Sequence, residues 1–324
     1  MTLSASILTI ASGRAEHLRN VMVGLSHQTV LPREMVIARM QDAPYDDLPE
    51  MPFPVRQIHV PGDELPLAAA RNAAAAAATG DLLIFLDVDC IPAPTLVADY
   101  TSHDLDGILM GEVMYLPGGA NAPGWTVQDF DAVAERHSDR QGPPADGVEI
   151  CTDYRCFWSL NFALRADRFR ALGGFDERFT GYGGEDTDFG KTASVAGCPI
   201  GWIAGAKVYH QYHPHHMPPV HHLHSVVCNA ELFAQKWGYR TMEHWLYAFM
   251  LMGLIDNSGP RIRILRAPDE DDIAFTRQEA HMPYANTRRI LNALKQQRGL
   301  DIAAGSADPG QKALLVPGGA VAAE

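Results

Sequence analysis

Leu82-Leu83-Ile84-Phe85-Leu86-Asp87-Val88-Asp89 decides the fold. Five apolar residues in a row, started by Gly80-Asp81, predict a strand covered on both faces, as in a parallel sheet. Polarity then reverses. The carboxylates of Asp87 and Asp89 fall at the carboxyl end of that strand, where an open α/β sheet gathers its ligands beyond the strand ends. A pair of acids in a solvated turn is the plainer explanation; a divalent-cation or nucleotide site is the sharper one.

Upstream, the pattern repeats. Ser6 to Ala11 is a short apolar strand, Ser12-Gly13-Arg14 a turn, and Leu18, Val21 and Leu25 the stripe of a helix. Further strands are predicted near Met35 to Met40, ending at Gln41-Asp42, and near Val55 to Val60. Leu67 to Thr79 is alanine-dense and predicts a helix closed by Gly80 as its C-cap. Strand and helix alternating at this spacing predict right-handed βαβ crossovers and a doubly wound, mostly parallel sheet over roughly the first hundred residues.

Downstream, the regularity weakens. Gly107 to Leu116 reads as one strand, and Pro117 to Gly147 as a long connection of the kind that is usually functional. Order returns at Phe157 to Leu164 and in a short helix around Asp167 to Leu172. Gly173-Gly174-Phe175-Asp176 follows, then the glycine-loosened loop Gly181-Tyr182-Gly183-Gly184-Glu185-Asp186 running into a helix from Glu185 to Ala196. Acids in a first helical turn are favoured by the helix dipole, so capping is their simplest role. Pro199 to Tyr209 reads as a strand leading into His210, His213, His215, His216, His221, His222 and His224. Val220 to Gly253 and Ala274 to Arg298 look helical, and a disordered Ala/Gly tail is expected from residue 301.

Composition bounds the function. The 324 residues carry 47% hydrophobic and 20% charged side chains, a globular balance, and a formal net charge of -13 that argues against a nucleic-acid partner. An acidic chain that binds a phosphate ligand needs local arginines or a metal. The five cysteines, Cys90, Cys151, Cys156, Cys198 and Cys228, form no CxxC pair, which points to structural thiols in a reducing compartment. No secretory signal is read at the N-terminus, and Trp245 to Ile255 is too short to span a bilayer, so a cytoplasmic protein is expected, with loose membrane association through that stretch left open.

Hard divalent cations take carboxylate oxygens, and a borderline ion such as Mn²⁺ also accepts imidazole. One aspartate of the Asp87/Asp89 pair with a histidine from the 210 region, completed by diphosphate oxygens, would make a six-coordinate site that helps a diphosphate depart. Opposite it, Asp186 or Glu185 would take a proton from an attacking hydroxyl as general base. A zinc site built from the His-rich loop alone is the rival, without a nearby cysteine or a helical His-x3-His frame.

At these residues the chain resembles a known family. Asp87-Val88-Asp89 is similar to the DxD motif of metal-dependent GT-A glycosyltransferases, family-2-like. Gly181 to Asp186 resembles the WGGED-type motif of the galactosyltransferase C-terminal region, with Tyr182 where tryptophan is common. Gly173 to Asp176 resembles the GGFDE stretch before it, and Ala70-Arg71-Asn72 the ARN segment. The resemblance covers about residues 4 to 215. It implies a Rossmann-like GT-A domain over 1–215, a helical extension over 216–300, and transfer of a hexose from a nucleotide sugar, a UDP-hexose, with Mn²⁺ or Mg²⁺. By residue, it implies Asp89 on the metal, with His210 as a further ligand and His213 as its fallback, and Asp87 on the ribose or on the metal through water. Asp186 would be the base of an inverting reaction and Glu185 a substrate-hydroxyl contact. Asp42 would lie on the base side, Arg71 near the nucleotide, and Ala11 and Arg14 in the uridine pocket; Trp158 and Asn161 fall on the acceptor side. His215, His216, His221, His222 and His224 have no counterpart.

The acceptor, a glycan, lipid-linked or small molecule, is expected to meet Pro117 to Gly147 and the C-terminal helices. Two rival classes remain. A nucleotidyltransferase on a related sheet would need a glycine-rich loop followed by lysine, and Thr9 to Arg14 has one glycine and no lysine. A non-catalytic nucleotide-sugar or metal-binding protein would bind without turnover.

Overall fold

The computed structural model describes residues 3–62, 64–137, 139–281 and 287–300; the tail expected from residue 301 lies outside them. The chain divides into two compact units, Met1–Pro214 with Glu279–Tyr284, and His215–Gln278 with Ala285–Glu324.

The first unit opens with β1 (Ala5–Ala11), α1 (Ala15–Ser26), β2 (Glu34–Arg39), β3 (Val55–His59), α2 (Leu67–Ala77) and β4 (Leu82–Leu86). Its four strands pair in parallel in the order β3-β2-β1-β4, with Ile7 of β1 opposite Met35 on one side and Ile84 on the other. Successive residues of β4 enter opposite cores. Leu82, Ile84 and Leu86 pack with Leu18, Val21 and Leu25 of α1, whereas Leu83 and Phe85 pack with Ala68, Ala70 and Ala74 of α2. Because both faces are covered, the run carries no polar alternation. The helix over the second face stops at Ala77, short of the expected Gly80 cap. Ala78 turns extended, the amide of Thr79 donates to Glu34 Oε1 at 2.6 Å, and that of Gly80 donates to Ser6 Oγ at 2.9 Å. Gly80 is a close-approach glycine, since a Cβ there would lie 2.6 Å from Ser6 Oγ.

The unit continues through β5 (Cys90–Pro92), α3 (Leu96–Thr101), β6 (Ile108–Met110), β7 (Val113–Tyr115), α4 (Val127–Val133), β8 (Glu135–Arg136), β9 (Val148–Ile150), β10 (Asn161–Arg165), α5 (Ala166–Leu172), α6 (Glu185–Val195), β11 (Ile200–Ile203) and β12 (Val208–His210). The large sheet has the order β3-β2-β1-β4-β10-β6-β11-β9, in which β10 and β9 run against the rest. It is a mixed, mostly parallel α/β sheet.

Two stretches that read as single strands are each divided between sheets. Residues 107–116 break at Gly111, where a Cβ would meet Ala206 O at 2.2 Å and Asn161 Nδ2 at 2.4 Å. Residues 199–209 break at Gly205 and Ala206, both left-handed at φ 85° and 46°, with the Ala206 amide donating to Asp99 Oδ2 at 2.7 Å. Each second half enters a smaller sheet of order β5-β12-β7-β8. That division matters for the site, because it sets His210 opposite Cys90, one residue beyond Asp89.

The expectation of five thiols is corrected at two positions. A 3-10 turn over Tyr154–Cys156 folds the chain back so that Cys151 and Cys156 form a disulfide with Cα atoms 6.9 Å apart; Cys90, Cys198 and Cys228 are free. The second unit holds α7 (Leu223–Trp237), α8 (Glu243–Leu251), the hairpin β13 (Ile255–Asp256) and β14 (Arg263–Ile264), α9 (Glu270–Thr276) and α10 (Arg288–Gln297). Leu251, Ile290 and Leu294 form one of its buried clusters. Among the described residues no helix is long and apolar enough to cross a membrane.

Candidate active site

The strand β4 delivers Asp87 and Asp89 on a tight turn. The Asp87 amide donates to Leu160 O at 3.0 Å, and its carbonyl accepts from the Cys90 amide at 2.9 Å. The Asp89 carbonyl accepts from the Gln211 amide at 2.7 Å, which joins this turn to the end of β12. Gln211 is wholly buried, and its side chain takes hydrogen bonds from Asn20 and Asn121 and donates to His17 O. This network holds the backbone between His210 and His213, so both imidazoles come to one carboxylate. The ligand atoms of Asp89, His210 and His213 all lie within 4.8 Å of one another. Tyr115 stacks on His210 with ring centroids 4.9 Å apart.

Arg14 forms an ion pair with Asp89 Oδ2, and its Nη2 lies 3.3 Å from His213 Nδ1. The Nε2 of His17 lies 3.9 Å from Asp89 Oδ1, beyond hydrogen-bond reach. Asp89 Oδ1 is buried and accepts no hydrogen bond. A buried carboxylate oxygen left without a donor is costly. One carboxylate and two imidazoles suit a divalent cation of the Mn²⁺ type, so these residues fit the metal that the DxD-like motif implies.

The acid loop is tied to the same place by Arg71. Gly181, Gly183 and Gly184 have φ of 71°, 89° and 90°, a conformation that glycine takes without a Cβ penalty. Gly184 precedes α6, so Glu185 and Asp186 occupy its first turn, and no side chain caps the helix. Arg71, on α2 and almost wholly buried, places Nη1 3.0 Å from Glu185 Oε1 and Nη2 3.7 Å from Asp87 Oδ1. The next residue, Asn72, locks the Gly173–Asp176 turn: its Oδ1 accepts from the Phe175 amide at 2.8 Å and its Nδ2 donates to Phe175 O at 2.9 Å. Phe175 stacks on Phe189 of α6 at 4.3 Å. Three sequence-distant motifs thus meet at two adjacent residues of one helix.

Burial and crowded charge shift the acids. Desolvation, with Glu185 beside it, raises the Asp186 carboxyl from 3.8 to about 6 despite Arg71 and the hydrogen bonds from Thr187. Asp87 is raised to about 7 by desolvation and by Asp89 and Glu185, against the pull of Arg71. Arg71 itself is raised, since the charges of Asp87 and Glu185 outweigh its desolvation.

At the β1 end, Ala11 is buried and Gly13 is left-handed at φ 59°. Gln41 Oε1 accepts from the Gly13 amide at 2.6 Å, and Tyr45 Oη donates to Gly13 O at 2.6 Å. Asp42 is turned to solvent with its Oδ1 3.3 Å from His59 Nε2, and the structure does not bring it to the Asp89 cluster. Asn161 is corrected as an acceptor-side residue. Fully buried, it accepts from Tyr100 Oη at 2.8 Å and donates to Ala206 O at 2.7 Å, so its side chain is spent on joining strands. Trp158 is half-buried and packs edge-on to His137 at 5.1 Å. His215, His216, His221, His222 and His224 belong to the second unit. Burial lowers His216, His221 and His222 in pKa, His221 to about 4, which leaves them neutral at pH 7. His17, Gln41 and Tyr45 escape a sequence reading because each meets its partner only across the fold.

Residues 14–125 match the family model of glycosyl transferase family 2, and residues 145–216 match the model described as the N-terminal domain of galactosyltransferase. Both matches are to glycosyltransferase families and fall on successive parts of the chain, which is thus similar to family 2 glycosyltransferases with a galactosyltransferase-type region. Validoxylamine A glucosyltransferase of Streptomyces hygroscopicus subsp. jinggangensis (strain 5008) is 28% identical over 189 residues, which are 52% of this chain and 44% of that protein. Chondroitin synthase of Pasteurella multocida (strain Pm70) is 26% identical over 172 residues, 46% of this chain and 18% of that one. The chain spans less than half the length of these relatives. Among solved structures, GalNAc-T7 with UDP, GalNAc and Mn²⁺ overlaps at a TM-score of 0.47 and 17% identity, over 65% of this chain and 43% of that one. S. aureus TarS 1-349 overlaps at 0.44 and 14%, over 71% and 65%.

Proposed function

We propose that the chain moves a hexose from a nucleotide sugar, a UDP-hexose, to an acceptor hydroxyl with inversion at the anomeric carbon, and that Asp89, His210 and His213 hold a Mn²⁺ or Mg²⁺ ion. The observation that carries this reading is the junction at Arg71, where the Asp87–Asp89 turn and the Glu185–Asp186 pair meet through one guanidinium. The activities named for the glucosyltransferase and synthase relatives support sugar transfer.

In this reading the bound ion supplies Lewis-acid neutralisation of the departing diphosphate. The chain's own groups do the rest. Asp186 takes the proton of the acceptor hydroxyl as its oxygen bonds to the anomeric carbon and the bond to the diphosphate oxygen breaks on the opposite side. A single displacement of this kind inverts the centre. Glu185 takes a sugar hydroxyl, and Arg71 holds Glu185 and Asp87 in place, the latter towards the ribose. Ala11, Arg14 and Asp42 form the nucleoside side, and the acceptor is a glycan, lipid-linked or small-molecule alcohol.

The test is nucleotide release from a panel of UDP- and GDP-sugars with and without Mn²⁺. Metal-dependent release from a UDP-hexose is expected. Binding of the whole panel with no turnover would instead favour a non-catalytic binding protein.

A further inference from the structure

Arg140 lies in the connection between β8 and β9, outside both family matches. It is 7% exposed, and its Nη1 and Nη2 are buried without a hydrogen-bond partner. Its guanidinium lies over two indoles, with Cζ 4.9 Å from the ring centroid of Trp158 and 4.7 Å from that of Trp202. The ring faces of two indoles attract the cation without accepting its N–H groups, and Nη1 and Nη2 remain unmet. The indole Nε1 of Trp202 is also a buried donor with no acceptor. Three buried donor atoms are therefore unanswered, two on the guanidinium and one on an indole it lies over, and a carboxylate or phosphate would answer the arginine's pair through its bidentate fork.

The position points to the acceptor. Trp158 is two residues before Leu160, whose carbonyl receives the Asp87 amide, and its ring meets His137, which packs against Tyr115 at 5.8 Å. Tyr115 in turn stacks on His210. The charge of Asp186 also acts on Arg140. Arg14, by contrast, is the cation at the Asp89 cluster, on the side of the nucleotide donor.

We propose that Arg140 and Trp202 Nε1, with Trp158 as the half-buried wall on the solvent side, form a subsite for an anionic group carried by the acceptor, a carboxylate or a phosphate. This rests on the glycosyl-transfer reading and names its acceptor class as acidic.

The test uses tryptophan fluorescence of the full chain, since two indoles flank the site. Methyl glucuronide, methyl glucoside 6-phosphate and neutral methyl glucoside are titrated separately, and UDP with Mn²⁺ in a parallel arm. At least one anionic glycoside is expected to bind tenfold or more tightly than the neutral one, and the better of the two identifies carboxylate or phosphate. Arg140→Gln is expected to abolish that preference, and Trp202→Phe, which keeps the ring but not the Nε1 donor, to weaken it several-fold, with UDP affinity unchanged in both. If Arg140→Gln does not fold, Arg140→Lys and Trp202→Phe carry the test, with the same loss expected to a smaller degree. Equal affinity for all three glycosides overturns the proposal. So does a tenfold loss of UDP affinity in the Arg140 variants, which would place the donor diphosphate there. Absence of UDP release from every donor, with the anionic preference intact, would sink the transfer reading and leave the subsite standing.

Discussion

Asp186 carries the sharpest residue-level expectations. To accept a proton it must be ionised, and its carboxyl is raised to about 6, first by burial and then by Glu185. Turnover should therefore fall roughly tenfold per pH unit below about 6, an acid limb that an ordinary aspartate would place near 4. A pH–rate profile with no limb above pH 5 would remove Asp186 as base. Asp186→Asn should cut turnover by at least about a thousandfold and leave donor binding nearly intact. The same shift has a stability consequence. A folded-state value above the unfolded one means that the protonated form is preferred by the fold; that contribution is present below pH 3.8 and is lost as pH rises through about 6. At pH 7 the charge is a burden, so Asp186→Asn should stabilise the fold by ~1–2 kcal/mol after allowance for partial exposure, with the gain vanishing near pH 4. Thermal unfolding at the two pH values measures it.

At the scale of elements, the strand β4 and the helix α2 were legible for a simple reason. A buried parallel strand is apolar at every position, and alanine density marks a helix whatever lies around it. Residues 107–116 and 199–209 were not, because the breaks at Gly111 and Gly205-Ala206 come from Asn161, Tyr100 and Asp99, distant in sequence. The His210 position was legible as the end of an apolar run, yet its meeting with Asp89 depends on that break. Arg140 gave no signal, since one arginine in a long connection looks like any surface cation. The junction of β1, β2 and the 78–81 turn rests on a buried acid whose partners are distant in sequence. Glu34 accepts from Ser6, Thr79 and Arg56, and these bonds outweigh its desolvation and hold it near pKa 2, against an ordinary 4.5. A depressed value contributes stability above pH 4.5 that is lost as pH falls towards 2. Glu34→Gln should then cost ~2 kcal/mol at pH 7, and the difference from the parent should close in acid. Urea unfolding at pH 7 and pH 3 follows it; equal stability of the two proteins at pH 7 would deny Glu34 that role.

For the whole molecule, charge decides how a phosphate ligand can be held at all. The chain carries 39 acidic against 26 basic residues, and in the site Asp87, Asp89, Glu185 and Asp186 face Arg14 and Arg71. A nucleoside diphosphate entering this field gains little without an added cation, so its affinity should be conditional on the metal. Ligand that binds only the folded state adds about 2.7 kcal/mol at a hundred times its Kd. With Mn²⁺ and saturating UDP, unfolding should therefore shift upward by roughly 5 °C. UDP with EDTA should give no shift, and neither should UDP with Mn²⁺ on Asp89→Asn or His213→Ala. The metal-ligand candidates all lie in Met1–Pro214, so where the two units melt separately, only one transition should move. Equal stabilisation by UDP in Mn²⁺ and in EDTA would mean that Arg14 and Arg71 suffice, and would remove the ion from Asp89, His210 and His213.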